Sequence, residues 1–503
     1  MPTPPFPTDW LARQARYRPD APALTWQPTG EQLAFAELNS RGEALAAAFT
    51  ERFDLVKGDR VAILAPNSLA HVLLFVAAQK TGWILVPLNA RLTAAELQHM
   101  VDDTTPQLFV TDDALTDTAE ALTVDAPRLS CGTIEQQATA KGLAFEGRRL
   151  GADDPLMILY TSGTTGRPKG ALYTHGMCFY NAVNTVQRLH LTGADVSFNA
   201  APFHHTGGWN VLLTPFLLQG GHTLLLDGFD ADVLLPLCDE ANITILWGVP
   251  TMLKLMADSP HFNAVSLDSV RYAIVGGEAM PAPLIHTWQD KGVPIRQGFG
   301  MTEVGPNCFS LPERDALRKI GSIGLPNFLI DTRVVDADGQ DLPLGATGEL
   351  LMRGPVVTPG YWQHPEGTAA AFDGDWFRTG DLVRQDDEGY FFVAGRKKEL
   401  YISGGENVYP AEVEAVLHAH EFIREAAVVG VPDDRWGETG MAFVVADAPS
   451  LSPEAVTDFC RQRLAAYKVP QHIRFVDSLP KNHSGKIDKQ ALRTRAERAV
   501  SST

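Results

Sequence analysis

The run Tyr160-Thr161-Ser162-Gly163-Thr164-Thr165-Gly166-Arg167-Pro168-Lys169-Gly170 has the composition of an anion grip. Its glycines let the backbone take positive φ and close its N–H groups on an oxyanion, while its hydroxyls and two cations add donors. The apolar stretch ending at Leu159 reads as a strand that delivers this loop. Pro168 stands where the commoner P-loop needs a glycine before its lysine, so a different nucleotide chemistry is implied. In Gln297-Gly298-Phe299-Gly300-Met301-Thr302-Glu303 a carboxylate stands beside a hydroxyl, and the glycines let a flat base or an acyl chain pass close to the backbone. Arg378-Thr379-Gly380-Asp381-Leu382 sets a carboxylate after a tight turn, where it can accept from a pair of hydroxyls. Lys486 lies in Leu479-Pro480-Lys481-Asn482-His483-Ser484-Gly485-Lys486-Ile487, and His204 and His205 are adjacent, without metal-site spacing. Taken singly, each segment after the first also fits an ordinary turn, helix start or solvated charge.

Together, in this order, these segments resemble the adenylate-forming superfamily, in its acyl-CoA synthetase and aryl-acid–CoA ligase branch. Joining a carboxylate to ATP needs a hold on pyrophosphate, a divalent metal, an adenosine pocket and a cation over the α-phosphate. The resemblance implies a role for each segment. Thr161, Ser162, Gly163, Thr164, Thr165, Gly166 and Lys169 would hold the β- and γ-phosphates, and Glu303 would bind Mg2+ together with Thr161. Phe299 would pack on adenine where relatives usually have tyrosine, among Gly298, Gly300, Met301 and Thr302 and opposite Gly277, Glu278 and Ala279. Asp381 and Arg396 would hold the ribose, and Lys486 would reach the α-phosphate and the carboxylate as the first catalytic residue. His205 would gate an acyl pocket lined also by Trp209, Gly277 and Gly300. Lys398 would be a hinge pivot, with Gly404 and Gly405 lining a coenzyme A tunnel. No aspartate occurs between Asn199 and Val211, where amino-acid-activating relatives carry one, which disfavours an amino-acid substrate.

The elements that must position these residues read as an α/β protein. Val61–Leu64, Trp83–Val86, Gln107–Thr111, Thr223–Leu226, Ile243–Trp247 and Tyr272–Val275 are strand-like, with helical stretches between them such as Leu69–Ala78 and a helix capped by Thr93 and Glu96. That alternation predicts parallel-type sheets covered by helices. From about 325 to 397 the pattern is that of a β-rich lobe, and beyond it a compact α+β tail follows. The expected division is a large compound N-terminal domain, 1–397, and a small C-terminal lid domain, 398–503, on a hinge.

With 503 residues and a net charge of −18, the chain is large enough for a multi-domain enzyme, and its charge argues against nucleic acid as a partner. Its five cysteines lack metal or disulfide-framework spacing and read as buried thiols of a cytoplasmic protein; neither a signal peptide nor a membrane-spanning segment is expected. The expected partners are a carboxylic acid, fatty or aromatic, with ATP and coenzyme A; the oligomeric state, a homodimer included, stays open. Two rivals are loading of a carrier protein's pantetheine arm and a degenerate nucleotide- or acyl-binding protein without turnover.

Overall fold

Val61, Ala62, Ile63 and Leu64 follow one another without a polar break, the pattern of a strand covered on both faces. In the computed structural model they form the strand Arg60–Leu64. The structure describes residues 6–140, 142–143, 145–161, 168–403, 406–433, 436–448, 451–482 and 486–500. Arg60–Leu64 lies parallel to Ile84–Leu88 and to Leu108–Thr111. The helix that connects the first two strands, Leu69–Thr81, is buried along its whole length, as its scarcity of polar residues requires. Gly82 ends it at φ +78°, a conformation that costs glycine little. The next helix, Ala94–Thr104, opens on the expected Thr93, whose hydroxyl and Glu96 form a reciprocal capping box.

Six strands then lie in the order Arg128–Ser130, Leu108–Thr111, Arg60–Leu64, Ile84–Leu88, Pro155–Thr161, Lys169–Thr174. All neighbours run parallel except the last pair, which is antiparallel with Thr161 opposite Lys169. The sheet is therefore mixed where parallel strands were expected. The strands on either side of the glycine-rich run, Pro155–Thr161 and Lys169–Thr174, pair antiparallel, which so short a connection permits, whereas parallel strands would need a longer one.

The chain divides into two compact units, Met1–Asp331 with Met352–Phe377, and Thr332–Leu351 with Arg378–Thr503. Besides the six-stranded sheet, the first unit holds a four-stranded sheet and the run Ile245–Gly248, Tyr272–Val275, Ile295–Met301, Gly305–Ser310, Ser322–Pro326. In the second unit Phe391–Arg396 pairs with residues 381–385 of the strand Trp376–Gln385, and a separate sheet is built around Ile423–Asp433 and Gly437–Ala446. The helices Pro410–His418, Pro453–Arg461 and Lys489–Val500 complete the expected α+β tail. The division by contacts falls at Arg378, so Arg396 and Lys398 both belong to the second unit. All five cysteines are buried and free. No helix among the described residues is long and apolar enough to cross a membrane.

Candidate active site

The antiparallel register sets Thr161 and Lys169 at the two ends of the glycine-rich connection. Ser162, Gly163, Thr164, Thr165 and Gly166 lie outside the described residues. At the first end, Thr161 Oγ1 donates to Glu303 Oε1 across 3.2 Å. Glu303 sits in the short helical turn Thr302–Val304 and is 5% exposed. Its Oε1 also accepts from the Tyr361 hydroxyl at 3.1 Å. Burial and the neighbouring Glu303 charge push the Tyr361 phenol well above its ordinary pKa, so it stays a donor. At the second end, the Lys169 ammonium stands 5.4 Å from the Tyr361 ring centroid, within cation–π range. Thr161, Lys169 and Glu303, distant in sequence, are thus brought together, and Tyr361 joins them. Sequence reasoning missed Tyr361, because an uncharged Gly360-Tyr361-Trp362 shows no chemistry until a residue 58 positions away is placed against it.

Glu303 fits a hard divalent cation. Among the described residues both hydroxyl donors address Oε1 and none addresses Oε2, which leaves one carboxylate oxygen for a metal that prefers oxygen ligands and shares itself with substrate phosphates. Two cavities of about 270 and 250 Å³ lie in the same unit, one beside Arg188 and Phe328 and one beside Asp153 and Tyr180. Neither is lined by a residue of this cluster.

Gln297 explains how the loop after Val275 is held. Its amide donates to the carbonyls of Val275 and Glu278 and accepts from Met280 N–H, bracketing Gly277, Glu278 and Ala279, which are exposed. Phe299 is half-buried and meets Phe309 edge-on at 5.7 Å. Gly298 and Met301 share the strand of Phe299, with Thr302 following. Gly300 has no room for a side chain: a Cβ there would lie 2.3 Å from the Gly305 carbonyl oxygen and 2.4 Å from Pro306 backbone.

Trp209 lies in the interior of the first unit. Its indole is fully buried, donates to the Phe203 carbonyl at 2.6 Å and packs on Phe203 and Phe75. Gly208 before it has no room for a side chain: a Cβ there would collide with the Ala201 and Pro202 carbonyls. His205, half-buried, precedes the short helix Thr206–Asn210, and its ring and the Trp247 indole both flank Gly207. Its neighbour His204 is held neutral, with a pKa pushed down to about 3 by burial and by His205 and Arg91.

In the second unit, Arg396 Nε pairs with Asp381 Oδ1 at 2.8 Å, and its Nη1 donates to the Thr379 carbonyl. Gly380, at φ +71°, lies inside the strand Trp376–Gln385 immediately before Asp381, a backbone conformation that glycine adopts at little cost. Lys398 is exposed in the turn that follows Arg396. Lys486 lies at the foot of a small loop closed by Asn482 N–H to the Lys486 carbonyl, Lys486 N–H to Asn482 Oδ1, and a bridge between Lys481 and Ile487. Gly404 and Gly405 lie outside the described residues. Glu303 and Lys486 belong to different units.

A family model described as AMP-binding enzyme matches residues 11–362, and one described as AMP-binding enzyme C-terminal domain matches residues 412–486. The chain is 38% identical to a feruloyl-CoA synthase of Amycolatopsis over 97% of its length and 98% of that protein's. It is 35% identical to a long-chain-fatty-acid–CoA ligase of Mycobacterium tuberculosis, over 96% of this chain and 97% of that one. The o-succinylbenzoate-CoA synthetase of Bacillus subtilis, solved in complex with an acyl-adenylate intermediate, superposes with a TM-score of 0.87 at 30% identity, covering 96% of this chain and 97% of that one.

Proposed function

Because the chain belongs to the AMP-binding enzyme family and its full-length relatives are acid–CoA ligases, we propose how its residues share out that reaction. The activity is ATP-dependent acid–CoA ligation. In the first step a carboxylate oxygen attacks the α-phosphorus of ATP, the bond to the bridging oxygen breaks, and pyrophosphate leaves with acyl-AMP formed. In the second the thiol sulfur of coenzyme A attacks the acyl carbonyl, the acyl–phosphate bond breaks, the thiol proton is lost to solvent and AMP departs. No side chain becomes covalently attached to the substrate.

Thr161, Ser162, Gly163, Thr164, Thr165, Gly166 and Lys169 hold the β- and γ-phosphates. Glu303 and Thr161 hold Mg2+, which when bound neutralises phosphate charge and polarises the reacting phosphoryl group. Phe299 and the segment 277–279 flank adenine, and Asp381 with Arg396 holds the ribose. Lys486 places a point charge on the α-phosphate and orients the attacking carboxylate. His205, Gly277 and Gly300 border the acyl group, and the acid is a fatty or an aromatic one. Residues 398–503 act as a lid that pivots at Lys398 between the two steps, bringing Gly404 and Gly405 to the pantetheine. The protein works in the cytoplasm.

The observation that carries this reading is the hydrogen bond from Thr161 to Glu303, which joins the end of the phosphate loop to a buried carboxylate suited to a phosphate-bound metal. The test is AMP release with ATP, Mg2+ and coenzyme A against fatty acids of increasing length, benzoates, cinnamates and dicarboxylates. Thioester with one class fixes the acid. Acyl-AMP without consumption of coenzyme A would transfer the second step to a carrier-bound thiol.

A further inference from the structure

Residues 358–362 form a strap that touches both Glu303 and the strand Lys169–Thr174, which pairs with the strand carrying Thr161. Toward the turn bearing Glu303, Thr358 N–H donates to the Glu303 carbonyl at 2.7 Å, and the Tyr361 hydroxyl reaches Glu303 Oε1. Toward that strand, the Gly360 carbonyl accepts from Leu172 N–H and Trp362 N–H donates to the Gly170 carbonyl. The Thr358 hydroxyl donates to the Leu172 carbonyl, and Ala171 and Tyr361 form an antiparallel bridge. The Tyr361 backbone is fixed from a third side, its N–H donating to the Thr368 hydroxyl at 2.9 Å. Tyr361 is therefore held against that strand, while its phenol ends on the carboxylate.

We propose that Tyr361 is a positioning residue for the metal-binding carboxylate. By donating to Oε1 alongside Thr161, it fixes the rotamer of Glu303 with Oε2 presented to the cation, and it ties that presentation to the strand that leaves the phosphate loop. A glutamate has three rotatable side-chain bonds and loses substantial rotamer freedom on being ordered. Two donors on one oxygen meet that cost before the metal arrives, and outer donors of this kind govern metal affinity. The ring contributes separately, since its face lies in cation–π range of Lys169. The proposal rests on Glu303 being the metal ligand.

Tyr361→Phe keeps the ring, the strap's backbone bonds and the contact with Lys169, and removes only the donor. The probe is Mn2+ binding to the full-length protein with ATP and no acid, followed by the loss of the free-ion electron paramagnetic resonance signal. Binding should weaken about 10- to 100-fold. ATP binding without metal should be unchanged, and in turnover the metal concentration for half-maximal rate should rise with kcat recovered at saturating Mg2+. Unaltered Mn2+ binding by a folded Tyr361→Phe would overturn the proposal. Glu303→Gln separates this failure from that of the reading beneath it: Mn2+ binding as in the unaltered protein by Glu303→Gln removes Glu303 from the metal site altogether. A loss in Glu303→Gln without one in Tyr361→Phe removes only the positioning role. A fall in kcat that excess Mg2+ does not restore would also overturn it, because it would make the phenol part of the fold or of the chemistry and not of metal placement.

Discussion

Arg396 and Asp381 form an ion pair at 2.8 Å in which the aspartate side chain is 4% exposed and the arginine 41%. The same guanidinium donates to the Thr379 carbonyl, so it holds the strand on either side of Gly380 at two points. Arg396→Ala leaves the buried carboxylate without this cation and the Thr379 carbonyl without this donor. The KM for ATP should rise about tenfold, in keeping with one charge-assisted hydrogen bond lost, and the melting temperature should fall. Arg396→Lys should rescue little, because an ammonium does not reproduce the planar fork. An unchanged KM for ATP in both variants would remove this pair from the ribose site.

Gly300→Ala should destabilise the first unit whatever the substrate. The added Cβ would stand 2.3–2.4 Å from the backbone of Gly305 and Pro306, on the opposing strand of the same hairpin, where no flexible side chain can yield. The cost should be about 1–3 kcal/mol, as for overpacked sites, and denaturant unfolding would read it directly. A variant of unaltered stability would show that the two strands separate easily, and would return Gly300 to a purely ligand-facing role.

In the sequence Thr161, Lys169, Glu303, Asp381, Arg396 and Lys486 stood out through the resemblance of their motifs, in order, to one family; charge and glycine spacing alone fitted turns and solvated charges at all but the first segment. Strands such as Tyr272–Val275 were equally legible, being short apolar runs between turn residues. Contacts across distance were not. Tyr361 gains its meaning from Glu303, and the packing of Trp209 on Phe75 and Phe203 joins residues far apart in the chain. The return strand Lys169–Thr174 was hidden for a related reason: a glycine-rich loop after a strand announces an anion site, but not whether a helix or a strand comes next.

His175 should make stability depend on pH. It is fully buried, neither ring nitrogen has a hydrogen-bond partner among the described residues, and burial holds its pKa down to about 4, against an ordinary 6.5. Between those values the unfolded chain binds a proton that the folded chain does not, so this contribution is intact above pH 6.5 and is lost as pH falls toward 4. His175→Phe removes the group and should lessen the loss of stability between pH 7 and pH 5 by about 2 kcal/mol. Urea unfolding at both pH values measures it. His71 and His204, each pushed down to about 3, act in the same direction and keep the variant's remaining slope positive. An identical slope in His175→Phe would mean that His175 is protonated in the folded protein.

Lys486 and Glu303 lie in different units, and the proposed reaction asks for Lys486 only while acyl-AMP is being formed. The Lys486 backbone is fixed in its loop by reciprocal bonds with Asn482, so truncating the side chain should leave that loop closed. Lys486→Ala should slow acid-dependent ATP–pyrophosphate exchange by about 10²–10³, the scale of a transition-state charge contact. Formation of thioester from supplied acyl-AMP and coenzyme A should change much less, because no phosphoryl transfer remains to be stabilised. Measuring both half-reactions on one preparation makes the comparison internal: a general loss of folded protein would lower them together, as would a lysine that serves both steps. Normal Tm with equal losses would retire the pivot at Lys398 as the reason for the tail, since the lid would then have one working position. Unequal losses, with the second step preserved, leave the lysine no part once the adenylate exists, and movement of the tail becomes the requirement for coenzyme A to reach it.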